Sequence, residues 1–299
     1  MKEELLIVNN DLDGAGCYTV YNWLSPRTQL FAVTQKSAKE RITEFFSKNN
    51  ISDFSKIIIL GVDVSGLEDV IDCGSVFIVT AHKGFVESKH NYKLAKVVAK
   101  EDGSSTRLCY SIFKKGFAHR PTEHQKLLIV LIDDAVSSNY SLQQSKDLET
   151  LFWSEKMGTR IFDFCEKYNK GFFEFDNYQK NKLVFLNKKC ENIIRNMQLY
   201  YAKLPIKDCL YNFFATFSDC CITEICDELF GNYNADIIAI VNTDTNRVYF
   251  RRSKVCDVNL SKLAKKLCDG DGYKYAASGE ITEKFMEFTK LLKLHTSKL

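Results

Sequence analysis

Residues 5–17 read LLIVNNDLDGAGC. A short apolar run gives way to two aspartates, Asp11 and Asp13, at i and i+2, and then to Gly14 and Gly16. The run predicts a buried strand, and the small residues after it predict the opening of a helix. Taken alone, Asp11 and Asp13 are an N-cap and a turn, because Asp-Gly is a common turn dipeptide. At a strand end they are also two carboxylates directed off a sheet edge, beside glycines that allow close backbone approach.

The pattern recurs further along the chain. KIIILGVDV (56–64) predicts a strand ending near Asp63, SVFIVTAH (75–82) one ending at Ala81 and His82, and QKLLIVLIDD (125–134) a strand or a fully buried helix ending in Asp133 and Asp134. Between them QLFAVT reads as a strand, GAGCYTVYNWL, SAKERITEFFSKN and SSTRLCYSIFKKGF as helices, and SGLEDVID as a helical turn. Ser37 is a plausible N-cap for the second of these helices. Strands alternating with helices predict a parallel α/β sheet, whose ligand crevice lies beyond the carboxyl ends of its strands. Apolar runs ending repeatedly in oxygen or imidazole donors form a convergent set, suited to Mn²⁺ or Mg²⁺ rather than to a thiolate-rich structural zinc site.

From about 144 to 202 the chain reads as helical, closing with the lysine-rich KNKLVFLNKKCENIIRNMQLYYAK (180–203) as a connector. Beyond Pro205 strands return: NFFATF, a hairpin in DIIAIVNTDTNRVYFRRS, a helix LSKLAKKLC, the turn DGDG and a closing helix in TEKFMEFTKLLKL. The predicted organisation is an N-terminal α/β domain over 1–180, a helical linker over 181–204 and a smaller C-terminal α/β domain over 205–299.

Bulk properties agree with a folded protein of 299 residues, 45% hydrophobic and 26% charged. No apolar run approaches the ~20 residues of a membrane helix, and the N-terminus does not read as a signal peptide. Eleven cysteines, an odd number without C-x-x-C spacing, predict reduced thiols in a reducing, cytoplasmic compartment. A net charge of +3 does not by itself argue for nucleic acid.

With those residues in order, the chain resembles the DHH phosphoesterases, which include RecJ-type exonucleases, nanoRNases and cyclic-dinucleotide phosphodiesterases. NNDLDGAG is similar to their first motif, with Asn9 where a first Asp stands. GVDVSG is similar to the second, whose Asp, here Asp63, bridges the metals. VFIVTAHKGF occupies the place of the Asp-His-His motif, SSTRLCYSIF that of the helix following it, and LIDDAVSS that of the fourth motif. VYFRRSKVCDVNLSKLAKKLCDGDGYKYAASG resembles the associated substrate-binding domain, with Asp271, Tyr273 and Ser278 replacing two glycines and a histidine of its glycine-rich turn.

The resemblance implies two Mn²⁺ or Mg²⁺ ions held by Asp11, Asp13, Asp63, His82 and an aspartate at Asp133 or Asp134. It implies attack of a metal-activated water on the phosphorus of a nucleotide or short single-stranded oligonucleotide. Lys83 would stand for the second histidine and meet the phosphate as a point charge, leaving Ala81 in place of the name-giving Asp. A register shifted by one, Thr80-Ala81-His82, would lose the ligating histidine. Arg252, Ser253, Gly270, Gly272 and Tyr273 would hold the phosphate or the nucleotide end. A non-catalytic member that binds a nucleotide or a protein partner is the alternative, and a homodimer is left open.

Overall fold

The computed structural model describes residues 3–25, 28–88, 90–100, 103–117, 120–137, 139–206 and 209–295, without the side chains of residues 83, 84 and 271. Two compact units divide the chain, Met1–Leu183 and Val184–Leu299.

The first unit runs β1 (Glu3–Asn9), α1 (Leu12–Asn22), β2 (Thr28–Val33), α2 (Ala38–Lys48), β3 (Phe54–Leu60), α3 (Glu68–Ile71), β4 (Val76–Thr80), α4 (Lys83–Glu87), β5 (Lys96–Ala99), α5 (Ser105–Phe113), α6 (Glu123–Val136), α7 (Gln143–Trp153) and α8 (Arg160–Tyr168). Its sheet is wholly parallel in the order β2-β1-β3-β4-β5. Both faces are covered, as a parallel sheet requires. Leu6, Val8, Ile58 and Leu60 pack with the side of α1, α5 and α6, whereas Leu5, Ile7, Ile57 and Ile59 pack with Ala38, Ile42, Ile71 and Phe85. The strand order reverses between β1 and β3, so the crevice at their carboxyl ends lies where Asp11 and Asp63 follow the strands.

QKLLIVLIDD resolves as a helix. Thr122 caps α6 in a capping box with Gln125, and Leu128, Ile129, Leu131, Ile132 and Ala135 bury one face at helical spacing. Asp133 and Asp134 therefore lie in the last turns of a helix, not at a strand end. A buried apolar run this short has no periodicity that separates the two states. Ser37 precedes α2 but makes no side-chain capping bond.

The helix α9 (Asn177–Asn196) ends earlier than the sequence pattern suggested, and the YYAKLPI that follows is a strand. The second unit continues with β6 (Tyr200–Ile206), β7 (Cys209–Phe217), α10 (Ile222–Asn232), β8 (Ile237–Asn242), β9 (Arg247–Arg252), α11 (Leu260–Cys268), β10 (Asp271–Gly272), β11 (Ala276–Glu280), α12 (Glu283–Thr289) and β12 (Lys293–Leu294). Its sheet has the order β10-β11-β9-β8-β7-β6-β12, with β7 and β8 parallel and the other pairs antiparallel. Pro205 falls where β12 no longer pairs with β6, the edge position that a residue without an N–H tolerates. One face of this sheet packs on Leu260, Ala264 and Phe285, the other on Ile225, Cys226 and Leu229. Among the described residues no helix is long and apolar enough to cross a membrane.

Candidate functional site

The turn from β1 into α1 is built by Asp11 and Gly14. Asp11 is the N-cap, and its Oδ1 accepts from Gly14 N at 2.8 Å. A Cβ at Gly14 would stand 1.8 Å from the carbonyl oxygen of Asn9, so only glycine fits. The close approach is to the chain's own backbone. Gly16 serves packing, since a Cβ there would meet Thr106 Oγ1 at 2.3 Å.

Asn9 Nδ2 donates to Asp11 Oδ2. This amide offers Asp11 a donor where a carboxylate at position 9 would repel it. Even so, burial and, next, the Asp13 charge push the Asp11 carboxyl up to about 6, against the opposing pull of Gly14, Asn9 and Arg160.

Asp13 reaches the first turn of α5. Its Oδ2 accepts from Ser105 N at 2.9 Å, and its Oδ1 accepts from Thr106 N and Thr106 Oγ1, each at 2.8 Å. Negative charge at a helix N-terminus is favourable. Asp133 serves the same terminus: its Oδ1 accepts from Ser104 N at 2.7 Å, and its Oδ2 pairs with Arg107 Nη1 at 3.0 Å.

Asp63 Oδ1 accepts from Ser65 N at 3.0 Å and from Ser65 Oγ at 2.6 Å, while its Oδ2 lies 4.0 Å from His82 Nδ1. Burial lowers the His82 pKa, against the charges of Asp63 and Asp13. The imidazole is thereby kept in the neutral form that ligates metals. Ala81 N donates to Ser105 Oγ at 3.0 Å, tying this strand end to α5 as well.

The structure thus gathers Asp11, Asp13, Asp63 and His82 around the strand ends, with Asp133 one helix terminus away. Asp134 does not join them. Its carboxylate accepts from Ser141 N, Ser141 Oγ and Leu142 N, bonds that hold it down at about 2 and assign it to the loop after α6. The Lys83 side chain lies outside the described residues.

In chemistry the donor set fits a hard divalent cation: three carboxylates and a neutral imidazole, with an Asp11–Asp13 pair short of positive charge. Among the described residues no three of their ligand atoms lie within 4.8 Å of one another. Closure around an ion would therefore require side-chain rotation.

Arg160 carried no signal in the sequence, where it reads as one more helix residue. It is buried at 7% exposure, stacked over Phe152 and Trp153. Its Nε donates to Asn10 Oδ1 at 3.0 Å and its Nη2 to the Asn10 carbonyl, and its charge acts on Asp11. It locks the loop that carries both aspartates.

In the second unit Arg252 and Ser253 line a cleft of about 450 Å³ together with Arg251, Lys254 and Tyr275, and with Thr223, Cys226, Asp227 and Phe230 from α10. Arg252 Nε donates to the Lys274 carbonyl at 3.0 Å, and Ser253 Oγ is buried without a hydrogen-bond partner among the described residues. At Gly270 and Gly272 the close approach in the structure is to backbone. A Cβ at Gly270 would meet the Ser278 carbonyl at 2.2 Å and one at Gly272 the Ala276 carbonyl at 2.5 Å, so both permit the tight β10–β11 pairing. Tyr273 stacks on Tyr275 with centroids 5.7 Å apart.

No protein-family model matches the chain, and no curated protein matches it. Solved structures are similar to it over nearly its whole length. The pGpG-specific phosphodiesterase PggH from Vibrio cholerae is 13% identical across 97% of this chain and 96% of that one, with a TM-score of 0.59. An exopolyphosphatase-related protein from Bacteroides fragilis is 12% identical across 97% and 90%, with a TM-score of 0.54. The exonuclease RecJ bound to manganese is 11% identical across 97% and 88%, with a TM-score of 0.53. The fold of this chain is the one that these three proteins share.

Proposed function

We propose that the chain is a divalent-metal-dependent phosphoesterase acting on a nucleotide or a short oligonucleotide. The observation that carries this reading is the meeting of Asp11, Asp13, Asp63 and His82 at the strand-order reversal between β1 and β3. The phosphodiesterase and exonuclease activities named for PggH and RecJ support it by analogy of fold.

A cation such as Mn²⁺ held by those four residues would supply a Lewis acid for water and for the charge at phosphorus. The chain's own residues do the positioning. Arg160 fixes the Asn10 backbone, and with it the aspartate loop. Asp63 Oδ2 stands 4.0 Å from the His82 ring, and its charge faces the imidazole. Arg252 and Ser253, with Arg251 and Lys254, form a cationic cleft whose orphan Ser253 hydroxyl suits a phosphate oxygen.

A second reading, a metal-free protein that binds nucleotide without cleaving it, is favoured by one specific arrangement. Both Asp13 oxygens are occupied by the terminus of α5, and Asp133 is paired with Arg107. Turnover of a dinucleotide, a five-mer RNA, a five-mer DNA and a cyclic dinucleotide, with Mn²⁺ or with EDTA, separates the two. Metal-dependent product reduced more than about 100-fold in Asp63→Ala, beyond the usual effect of an outer partner, is the expected result. Binding without product in any metal would establish the second reading.

A further inference from the structure

We infer that the second unit carries a separate site for a thiophilic divalent cation such as Zn²⁺, formed by Cys190, Cys221 and Glu224. This site is independent of the strand-end carboxylates and of the activity proposed for them. Ligand atoms of these three side chains lie within 4.8 Å of one another, and no other set of three His, Cys, Asp or Glu does so among the described residues.

Local structure explains the convergence. Cys221 is the N-cap of α10 and Glu224 its third helical residue, the spacing at which a capping residue and an acid meet on one face. Cys221 makes no side-chain capping bond, and its sulfur faces Cys190 on α9. The turn that presents it is fixed on several sides. Ser218 N donates to the Val241 carbonyl at 3.0 Å, Asn242 Nδ2 to the Asp219 carbonyl at 3.2 Å, and Ser218 Oγ to the Cys220 carbonyl at 2.6 Å.

Cys190 is buried while Cys221 and Glu224 are half-exposed, so the site has a protected wall and an open approach. The Cys220 sulfur stands 3.4 Å from that of Cys221, beside the converging set. Water completes the fourth position. Binding releases the thiol protons to solvent and crosslinks α9 to the start of α10.

The test uses the full chain, reduced and stripped of metal, titrated with Co²⁺ and then with Zn²⁺. Expected is stoichiometric Co²⁺ binding with a thiolate-to-metal charge-transfer band and the intense visible bands of tetrahedral geometry, both displaced by Zn²⁺. The charge-transfer band should weaken in Cys221→Ser and Cys190→Ser, and the affinity should fall at least about 10-fold in Glu224→Gln. Asp63→Asn, which alters only the strand-end cluster, should leave the spectrum unchanged. Absence of a charge-transfer band in the reduced protein, or a band that persists in folded Cys221→Ser, overturns the inference. So does a Cys190–Cys221 disulfide in protein prepared without reductant, if the reduced form binds no cation.

Discussion

The carboxylate cluster of the first unit and the cleft of the second are unbalanced in opposite senses. Around β1 and β3, burial and, next, the charge of Asp13 raise Asp11 to about 6, with Arg160 as a partial counterweight. In the second unit Arg251, Arg252 and Lys254 line one cleft against a single acid, Asp227. The first region lacks cation and the second lacks anion. The two regions also reach order differently: the acids are held by helix termini, and the cleft by strand-end backbone and a tight hairpin.

The largest effect expected on this comparison comes from Gly14. Gly14→Ala drives a Cβ into the Asn9 carbonyl, and should destabilise the chain by about 3 kcal/mol in chemical denaturation. A loss below about 1 kcal/mol would mean that the aspartate loop is not rigidly built. The cleft should respond through binding instead. Arg252→Ala is expected to raise KM for a phosphorylated substrate about 10-fold, equivalent to about 1.4 kcal/mol, with kcat little changed. An unchanged KM would remove the cleft from the substrate path.

The smallest effect concerns Asp134, which the fold takes out of the cluster. Its folded pKa is depressed from 3.8 to about 2 by the Ser141 and Leu142 bonds. The stabilisation is therefore present above pH of about 4 and is lost as pH falls through about 2. Asp134→Asn should cost about 1 kcal/mol near neutral pH, allowing for partial solvent screening, and flatten the acid limb. Turnover should be unaltered, and a loss of turnover would return Asp134 to the metal site.

Much of this was legible in the sequence because the informative residues sit where local rules are strong. LLIV followed by Asp-x-Asp-Gly fixes a strand, a cap and a helix start within a few residues, and Asp63 and His82 repeat the signal on neighbouring strands. Asp133 and Asp134 close an apolar run that is α6, because a buried strand and a helix share that pattern over so short a stretch. Arg160 was invisible, because its contact with Asn10 joins residues far apart in the chain. The helix α10 escaped notice among β-branched residues and cysteines. Cys190 and Cys221 gave no motif, since only the packing of α9 near that helix start brings them together. Gly270 and Gly272 stand out as glycines in the sequence, but that β10 and β11 pair closely beside them is a tertiary fact.

The central claim is that the strand-end cluster holds a hard divalent cation, and direct Mn²⁺ binding tests it best. Titration followed by the electron paramagnetic resonance of free Mn²⁺ should show saturable binding in the native chain. Binding should be abolished in Asp11→Ala and Asp63→Ala and retained in Asp134→Asn and Cys221→Ser. Absence of binding, or binding that persists in folded Asp63→Ala, would contradict the account.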